Sequence, residues 1–156
     1  MKQIKVKKGT ILQTVGEVDT KVYHVKSGLL RSYIIDNKGK EHIFLFAPEG
    51  WTIADSATSE EKSELFIDAL EDSLVIKVKK NIDKEKQNIK PILKRVLVLQ
   101  KRIIMLMSSS AIERYNHFVK TYPDIIQRVP QKMIASYLGI TPEALSKIKN
   151  KKINKS

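Results

Sequence analysis

The sequence predicts an α+β fold with three successive parts: a region of short antiparallel strands, a long helix, and a C-terminal pair of short helices. Three observations support this prediction. Short runs of alternating apolar and polar residues, separated by turn residues, fill the first half of the chain. Apolar residues at helical spacing follow over 81–107, and a glycine with a Thr-Pro pair then divides the last helical segment in two. The expected boundaries are 1–80, 81–109 and 110–156.

Turn residues define the strand region. The stretch TKVYHVKSGLLRSYIIDNKGKEHIFLFAPEG, residues 20–50, is interrupted at Ser27-Gly28, at 36–39 and at 48–50. Further strands are expected over 9–15, 64–69 and 73–78. Many short strands at close spacing indicate a sandwich or barrel rather than a parallel sheet.

The long helix is predicted over 81–107 because apolar residues recur three and four positions apart. Val98, Leu99, Met105 and Leu106 lie outside this stripe, so the helix must pack against two surfaces. One can be the strand domain, and the other is the same helix of a second subunit in a two-fold dimer. Packing entirely within one chain is the alternative. The stripe consists of Ile89, Leu93, Val96, Leu97, Gln100, Ile103, Ile104 and Met107.

A shorter helix is predicted after residue 109. Ser110 and Glu113 have the spacing of a capping box, in which each residue satisfies a free backbone amide of the other. The helix is expected to continue through Val119, and Tyr122-Pro123 should end it.

The segment QKMIASYLGITPEALSKIKN, residues 131–150, is predicted to form two helices. In one continuous helix the glycine would cost about 1 kcal/mol relative to alanine and the proline about 3. Gly139 suits the left-handed position that ends a helix, Thr141 is a good N-cap, and Pro142 suits the first helical position. Ala135 is small enough for two helices to cross closely. The pattern predicts a helix-turn-helix, with an ordinary corner between two helices as the alternative.

Positive charge is concentrated in the second half of the chain. The formal net charge is +12, and residues 81–156 hold 16 basic against 5 acidic side chains, whereas residues 1–80 hold 13 against 12. Residues 128–156 contain seven basic side chains and one acidic side chain. Such a density is typical of phosphate binding. A solvated lysine-rich tail is the alternative for residues 149–155.

The composition excludes several classes of protein. The chain has no cysteine, so disulfides, thiolate metal sites and iron–sulfur clusters are excluded. The N-terminus MKQIKVKKGT lacks the apolar core of a signal peptide, and no hydrophobic run approaches the roughly 20 residues of a membrane span. We therefore expect a cytoplasmic protein with no membrane partner.

Strands, a long helix and a C-terminal helix-turn-helix, in this order, resemble the Crp/Fnr superfamily of transcription regulators, the relatives of the cyclic AMP receptor protein. The segments that carry the resemblance are VYHVKSGLLRSYIIDNKGKEHIFLFAPEG, IDALEDSLVIKV and ERYNHFVKTYPDIIQRVPQKMIASYLGITPEALSKIKN. The resemblance covers nearly the full chain. It implies a sensor-like β-roll of the cyclic-nucleotide-binding type at 1–80, a dimerisation helix at 81–109, a DNA-binding domain at 110–156, and RNA polymerase as a partner.

The same resemblance implies that the second helix of the motif enters the major groove of double-stranded DNA, with Thr141, Glu143 and Lys147 at contacting positions. Independently, Glu143 and Lys147 are four apart on one helix face, where glutamate can accept from cytosine and lysine can donate to guanine. A surface ion pair is the alternative. The chain ends soon after this helix, so the β-hairpin wing of many members is expected to be absent or vestigial. The candidate DNA-binding residues are Gln131, Lys132, Thr141, Glu143, Ser146, Lys147, Lys149 and Lys151.

The expected ligand pocket departs from the family pattern. The family's cyclic-nucleotide pocket uses an arginine to neutralise the phosphate, but the segment APEGWTIADSATSEEKSELFIDAL contains no arginine. Glu60, Glu61 and Glu64 surround Lys62 there and would repel a phosphate. We expect no tight binding of cyclic AMP and no cofactor, and an unknown small-molecule effector remains open. The candidate pocket residues are Trp51, Lys62 and Ser63.

No pattern predicts catalysis. A barrel enzyme would need several histidines and a carboxylate converging on a metal; His24 and His42, with Glu41, could be neighbours, but His117 falls on a predicted helix. We therefore expect no metal site and no catalytic residue. The expected function is a homodimeric regulator that binds an inverted-repeat DNA site sequence-specifically. The alternative is a non-catalytic ligand-binding or scaffold protein with non-specific affinity for nucleic acid.

Overall fold

A computed structural model describes residues 2–80 and 89–153 of the chain, with side chains 89, 91, 92, 94, 95, 152 and 153 left undescribed. The chain divides into two compact units, Met1–Ile82 and Asp83–Ser156. The first is built from strands and the second from helices, as the α+β prediction requires. Residues 81–88, predicted to begin the long helix, lie outside the described residues.

The described part of the first unit is a β-roll of two four-stranded antiparallel sheets. Their strand orders are β1-β8-β3-β6 and β2-β7-β4-β5, so neighbours in each sheet come from distant parts of the chain. The prediction of a sandwich or barrel rather than a parallel sheet is confirmed, and the structure forms two packed antiparallel sheets. The strands are β1 Lys2–Val6, β2 Ile11–Gln13, β3 Lys21–Ser27, β4 Leu30–Ile35, β5 Glu41–Ala47, β6 Thr52–Ile53, β7 Phe66–Ala69 and β8 Ser73–Lys79.

Alternate residues of the two sheets form the β-roll core. Tyr23 and Val25 of β3 belong to one buried cluster with Leu30 of β4, Ile67 of β7 and Val75 of β8. Burying one large apolar side chain fully contributes about 1.5 to 3 kcal/mol, so this cluster is the main source of stability of the unit.

Gly28 links β3 to β4 at one of the predicted interruptions. Its φ is +91°, and a Cβ built there would lie 2.2 Å from the Ser73 hydroxyl oxygen and 2.7 Å from the Asp72 carbonyl oxygen. No other residue type fits without moving the start of β8. The break predicted at Ser27-Gly28 is thus confirmed and fixed by a close approach between strands.

The second unit contains the long helix and the C-terminal helices. α2 begins with the predicted capping box, in which Ser110 and Glu113 exchange hydrogen bonds, and it is capped at Tyr122 just before Pro123. The four-residue α3 was not predicted. Within the described residues no helix is long and apolar enough to cross a membrane. The helices are α1 Ile89–Ser108, α2 Ala111–Thr121, α3 Ile125–Arg128, α4 Gln131–Leu138 and α5 Pro142–Ile153.

An aromatic cluster forms part of the core of this unit. Phe118 lies on α2 and Tyr122 directly follows that helix, and their ring centroids are 5.3 Å apart. Both rings approach Tyr137 of α4, with centroid distances of 5.4 and 5.7 Å. Tilted and edge-on pairs of this kind add about 0.5 to 1.5 kcal/mol beyond their buried area. The cluster holds α4, the first helix of the predicted motif, against α2.

Candidate nucleic-acid interface

The turn between α4 and α5 has the geometry that its residues predicted. Gly139 adopts the left-handed conformation, with φ 64° and ψ 35°. The hydroxyl oxygen of Thr141 accepts a hydrogen bond from the Ala144 amide at 3.2 Å, as an N-cap should, and Pro142 is the first residue of α5. The prediction of two helices joined at this turn is confirmed.

Apolar side chains lock the two helices together. Ile134 and Leu138 of α4 are buried, as are Leu145 and Ile148 of α5. Ala135 is also buried, as expected of a small residue where two helices cross. One side of α5 is therefore committed to packing, which leaves the opposite side for contacts outside the chain.

The outward side of α5 carries the polar candidates. Glu143, Ser146 and Lys147 are exposed, and at 100° per residue they lie roughly opposite Leu145. Asn150, which the sequence analysis did not single out, is exposed on the same face, seven residues after Glu143. Asn150 is uncharged, so the density of basic residues does not point to it, whereas its helical spacing from Glu143 and Lys147 does.

The remaining candidates occupy other positions. Lys149 is half-buried beside the packed side of α5, whereas Lys151 is exposed at the margin of the outward face. Thr141 lies in the turn as the helix cap. Gln131 and Lys132 are exposed in the first turn of α4, which contains no acidic residue. The amides of a helix N-terminus attract anions, so this turn adds a second cationic element to the lysines of α5.

Glu143 is held at the N-terminus of α5. Its own backbone amide and the Thr141 hydroxyl both donate to the carboxylate, and these hydrogen bonds lower the pKa of Glu143 below its ordinary 4.5. The carboxylate is therefore ionised at neutral pH and can accept hydrogen bonds. Among the ion pairs of the described residues, none joins Glu143 to Lys147. The alternative of a surface ion pair between these two side chains therefore does not describe this conformation.

The three candidate pocket residues of the β-roll have different surroundings. Lys62 lines a cleft of about 310 Å³ together with Asp55, Glu61 and Glu64. Ser63 is buried, and its hydroxyl donates to a backbone carbonyl 2.7 Å away. Trp51 is half-buried and packs against the β-roll core.

Asp55 is a buried carboxylate that the sequence analysis missed. It accepts hydrogen bonds from the amides of Ala57, Glu64 and Leu65 at 2.7, 3.0 and 2.9 Å, and Gln13 Nε2 lies 3.5 Å away. These backbone amides thus already donate hydrogen bonds to the Asp55 carboxylate. An aspartate before a run of small polar residues predicts a local turn but does not reveal the two distant amides.

The first 80 residues contain a single arginine, Arg31, and it is engaged by carboxylates. Its guanidinium donates two hydrogen bonds to Asp68, at 2.8 and 2.9 Å, and a further one to Glu41. It also stacks over the Tyr33 ring, 4.0 Å from the centroid. This arginine is buried in a bidentate pair, which is a structural use of the residue.

The histidines considered as metal ligands lie on different sheets. His24 of β3 has a ring nitrogen 2.6 Å from the Thr52 hydroxyl oxygen, and His42 of β5 lies 2.8 Å from an Asp36 carboxylate oxygen. In the part of the chain that the structure describes, no three His, Asp or Glu side chains are placed to hold a metal ion.

Sequence comparison finds one distant curated relative. No family model matches the sequence. The chain is 24% identical over 163 aligned positions to the anaerobic regulatory protein of Haemophilus influenzae, covering 92% of this chain and 63% of that protein. The chain therefore spans less than two thirds of the length of this relative.

Comparison with solved structures identifies the fold. FixK2 from Bradyrhizobium japonicum superposes with a TM-score of 0.77 at 21% identity, covering 99% of this chain and 85% of FixK2. A CRP/FNR-family transcriptional regulator from Thermus thermophilus superposes with a TM-score of 0.80 at 15% identity, covering 99% and 87%. CooA from Carboxydothermus hydrogenoformans gives 0.67 at 22% identity, covering 96% and 75%.

Proposed function

Because the chain has the fold of the Crp/Fnr regulators, we propose that it is a non-catalytic, homodimeric transcription regulator. In this proposal α5 reads an inverted repeat in the major groove of double-stranded DNA, and RNA polymerase is a further partner. One observation carries the proposal. The outward side of α5 presents an exposed glutamate, serine, lysine and asparagine, whereas Leu145 and Ile148 on its other side are buried.

The chemistry of this face fits base reading. A carboxylate accepts from cytosine N4, a lysine donates to guanine O6 and N7, and an asparagine can pair with adenine through two hydrogen bonds. Glu143, Lys147 and Asn150 supply these groups at spacings of four and three residues, which place them along one groove-facing side. The exposed Gln131 and Lys132 at the start of α4 are suited to the phosphate backbone.

The exposed stripe of α1 supports a dimer. Six apolar side chains of this stripe are between 51% and 81% exposed within one chain, and they lie along one side of the helix. A contiguous apolar face of this kind is unfavourable in water and typical of a coiled-coil seam between two copies of a helix. The six are Leu93, Val96, Leu97, Ile103, Ile104 and Met107.

The β-roll supports independence from cyclic AMP. Asp55, Glu61 and Glu64 line the cleft beside Lys62, so a cyclic phosphate would enter a negatively charged environment. The amides of Glu64 and Leu65 already donate hydrogen bonds to Asp55, and the Arg31 guanidinium is paired with Asp68, so these donors are engaged within the protein. In this proposal the β-roll dimerises the protein or binds an effector of different chemistry.

Selection of random duplex DNA on the purified protein, at about 0.15 M salt, tests the proposal. The expected result is enrichment of an inverted repeat whose half-sites are about one helical turn, roughly 10 base pairs, apart from centre to centre. Enrichment no better than background, with binding that depends only on salt, would instead favour the alternative of a scaffold with non-specific affinity for nucleic acid.

Two lysine variants separate base reading from phosphate binding on the selected site. We expect Lys147→Ala to cost about 1 to 3 kcal/mol on that site and to relax the base preference at one position in each half-site. Lys151→Ala, at the margin of the face, should weaken selected and random duplexes alike. Titrations of both variants on both duplexes give the four affinities. Equal losses for both variants on both duplexes would refute the assignment of Lys147 as a base contact.

A further inference from the structure

α4 ends at the turn that leads into α5, and two of its free carbonyls are satisfied within the turn itself. The last four carbonyls of any helix have no partner in that helix. Here the Ile140 amide donates to the Ala135 carbonyl at 3.0 Å, and the Gly139 amide donates to the Ser136 carbonyl at 3.1 Å. This is a Schellman arrangement, and it leaves the carbonyls of residues 137 and 138 to be satisfied from elsewhere.

Arginines from the two preceding helices approach these two carbonyls. Arg114 of α2 donates from Nη1 to the Leu138 carbonyl at 3.1 Å. Arg102 of α1 has its Nη2 atom 3.4 Å from the Tyr137 carbonyl oxygen, and its guanidinium stacks over the Tyr137 ring, 4.1 Å from the centroid. The C-terminus of a helix carries partial negative charge, so cations there are stabilising.

Arg114 also binds the end of α1. Its Nη2 atom donates to the Leu106 carbonyl at 2.6 Å, and its Nε donates to the Ser109 carbonyl at 3.0 Å. One guanidinium therefore joins the last turn of α1, the residue that follows it, and the last residue of α4. Gly139 also lies beside this junction, because a Cβ built there would be in van der Waals contact with Arg114 Nη1 at 3.5 Å and with Leu106 at 3.7 Å.

We propose that Arg114, assisted by Arg102, is a positioning residue that fixes the direction of α5 relative to α1, so that a dimer reads its two half-sites at one spacing. The proposal rests on the proposed function, since spacing has meaning only for a dimer on DNA. The turn at Gly139 leads directly into α5, so any rotation of the end of α4 against α1 is passed to the DNA-reading face.

Only an arginine can make this junction. Its planar fork offers five N–H donors in fixed directions, whereas a lysine is a single point charge on a flexible stem. Arg114→Lys keeps the charge but cannot bind the carbonyls of Leu106, Ser109 and Leu138 at once. Arg114→Met keeps much of the apolar stem and loses every donor. Lys120→Met removes an exposed positive charge from the same helix α2 and serves as the matched control.

The first experiment measures affinity for duplexes that carry a single half-site or two half-sites, with the spacing changed one base pair, about 3.4 Å, at a time. We expect the unmodified protein and Lys120→Met to show one preferred spacing. Arg114→Met and Arg114→Lys should lose about tenfold in affinity at that spacing, should bind neighbouring spacings within about twofold of it, and should keep single half-site affinity within about twofold.

Hydrogen exchange without DNA provides a second, independent measurement. We expect amides of residues 138–141 to exchange faster in both Arg114 variants than in Lys120→Met, while thermal unfolding shows that the variants remain folded. Unchanged spacing preference with unchanged exchange would overturn the proposal, and so would an Arg114→Lys variant that matches the unmodified protein in both measurements. If the unmodified protein itself shows no preferred spacing, the proposed function fails, and exchange alone then decides whether Arg114 fixes the turn.

Discussion

Asp36 closes the hairpin between β4 and β5 with a carboxylate that serves three partners. One oxygen accepts from the amides of Lys38 and Lys40 at 2.9 and 3.0 Å, and the other lies 2.8 Å from His42 Nε2. The hydrogen bond with the His42 side chain, and then those with the backbone, lower the pKa of Asp36 from its ordinary 3.8 to about 2. The ionised carboxylate is thus favoured by folding.

This shift predicts a pH dependence of stability. A carboxyl group whose pKa is lowered on folding stabilises the protein above its unfolded pKa, and this contribution is lost as the pH falls from 3.8 towards 2. We therefore expect Asp36→Asn to be less stable than the unmodified protein at pH 5 and to approach it in stability near pH 2. Denaturant unfolding at a series of pH values measures the difference.

Asp124→Asn is the control for Asp36→Asn, because Asp124 is an exposed carboxylate that makes no side-chain capping bond. Its difference from the unmodified protein should be small and constant over the same range. A stability gap for Asp36→Asn that persists unchanged down to pH 2 would contradict the role assigned to the ionised carboxylate.

Single residues were predictable from sequence where their partners are close in the chain. The cap at Thr141, the capping box at Ser110 and the left-handed Gly139 all act within a few positions, so local spacing was sufficient. Asp55 and Arg31 were missed because partners that define their roles lie further along the chain: the amides of Glu64 and Leu65 are 9 and 10 residues from Asp55, and Asp68 is 37 residues from Arg31. Only the folded sheet brings such pairs together.

At the scale of elements, α1 has two sides with different surroundings. Met105 is buried, and Arg102 stacks over Tyr137 of α4. The Leu106 carbonyl accepts a hydrogen bond from Arg114 of α2, and its side chain lies beside Gly139 after α4. The opposite stripe remains exposed within the chain, as the pattern of apolar residues on two sides of the helix predicted. On the side away from the stripe, the segment from Arg102 to Leu106 is therefore packed within the second unit, whereas Val98 on that side is exposed. The exposed stripe is the part that the proposed dimer would cover.

A charge placed in this stripe should separate the dimer. We expect Leu97→Glu to raise the dimer dissociation constant by roughly 100-fold or more, because each dimer would bury two carboxylates at the seam. The matched control is Lys101→Glu, since Lys101 is exposed outside the stripe and glutamate is an equally good helix former. Sedimentation measures whether each variant has the 17.9 kDa mass of one chain or twice that mass.

Equal masses for the two variants would contradict the assignment of this face. If both remained dimeric, the seam would lie elsewhere, and if the unmodified protein were already a monomer, the exposed stripe would need another partner.

Elements were predictable in proportion to their length and internal pattern. The strands β3, β4 and β5 and the helices α1 and α5 each contain enough residues to establish a period. β6 has two residues and α3 has four, which is too few for any periodicity. β1 was missed because three of its five residues are polar or charged and exposed, so that it resembles a terminal tail until β8 pairs with it.

At the scale of the whole molecule, the two halves of the chain differ in net charge. The near-neutral first half contains the carboxylates that line the β-roll cleft, and the strongly basic second half contains the candidate DNA contacts. Anions are thus attracted to the basic second half of the chain and not to the β-roll cleft. This division is the physical reason to expect an anionic polymer as a partner and a cyclic phosphate as a poor one.

We expect cyclic AMP to leave both the melting temperature and the affinity for the selected DNA unchanged. A ligand present at about 100 times its dissociation constant stabilises the folded state by about 2.7 kcal/mol, so binding at millimolar concentration would be visible as a thermal shift. Thermal unfolding with cyclic AMP, and with 5′-AMP as the matched control, makes the measurement. A saturable rise in melting temperature with cyclic AMP alone would contradict the proposal.

The one tryptophan of the chain, Trp51, packs against the β-roll core, whereas the ring cluster of the second unit contains only phenylalanine and tyrosine. Indole fluorescence therefore observes the β-roll by itself, and far-ultraviolet circular dichroism is dominated by the helices. The protein carries a built-in pair of optical probes, one for each unit. Melting curves from the two signals that coincide would identify one cooperative unit, and curves that separate would rank the two halves by stability without any label.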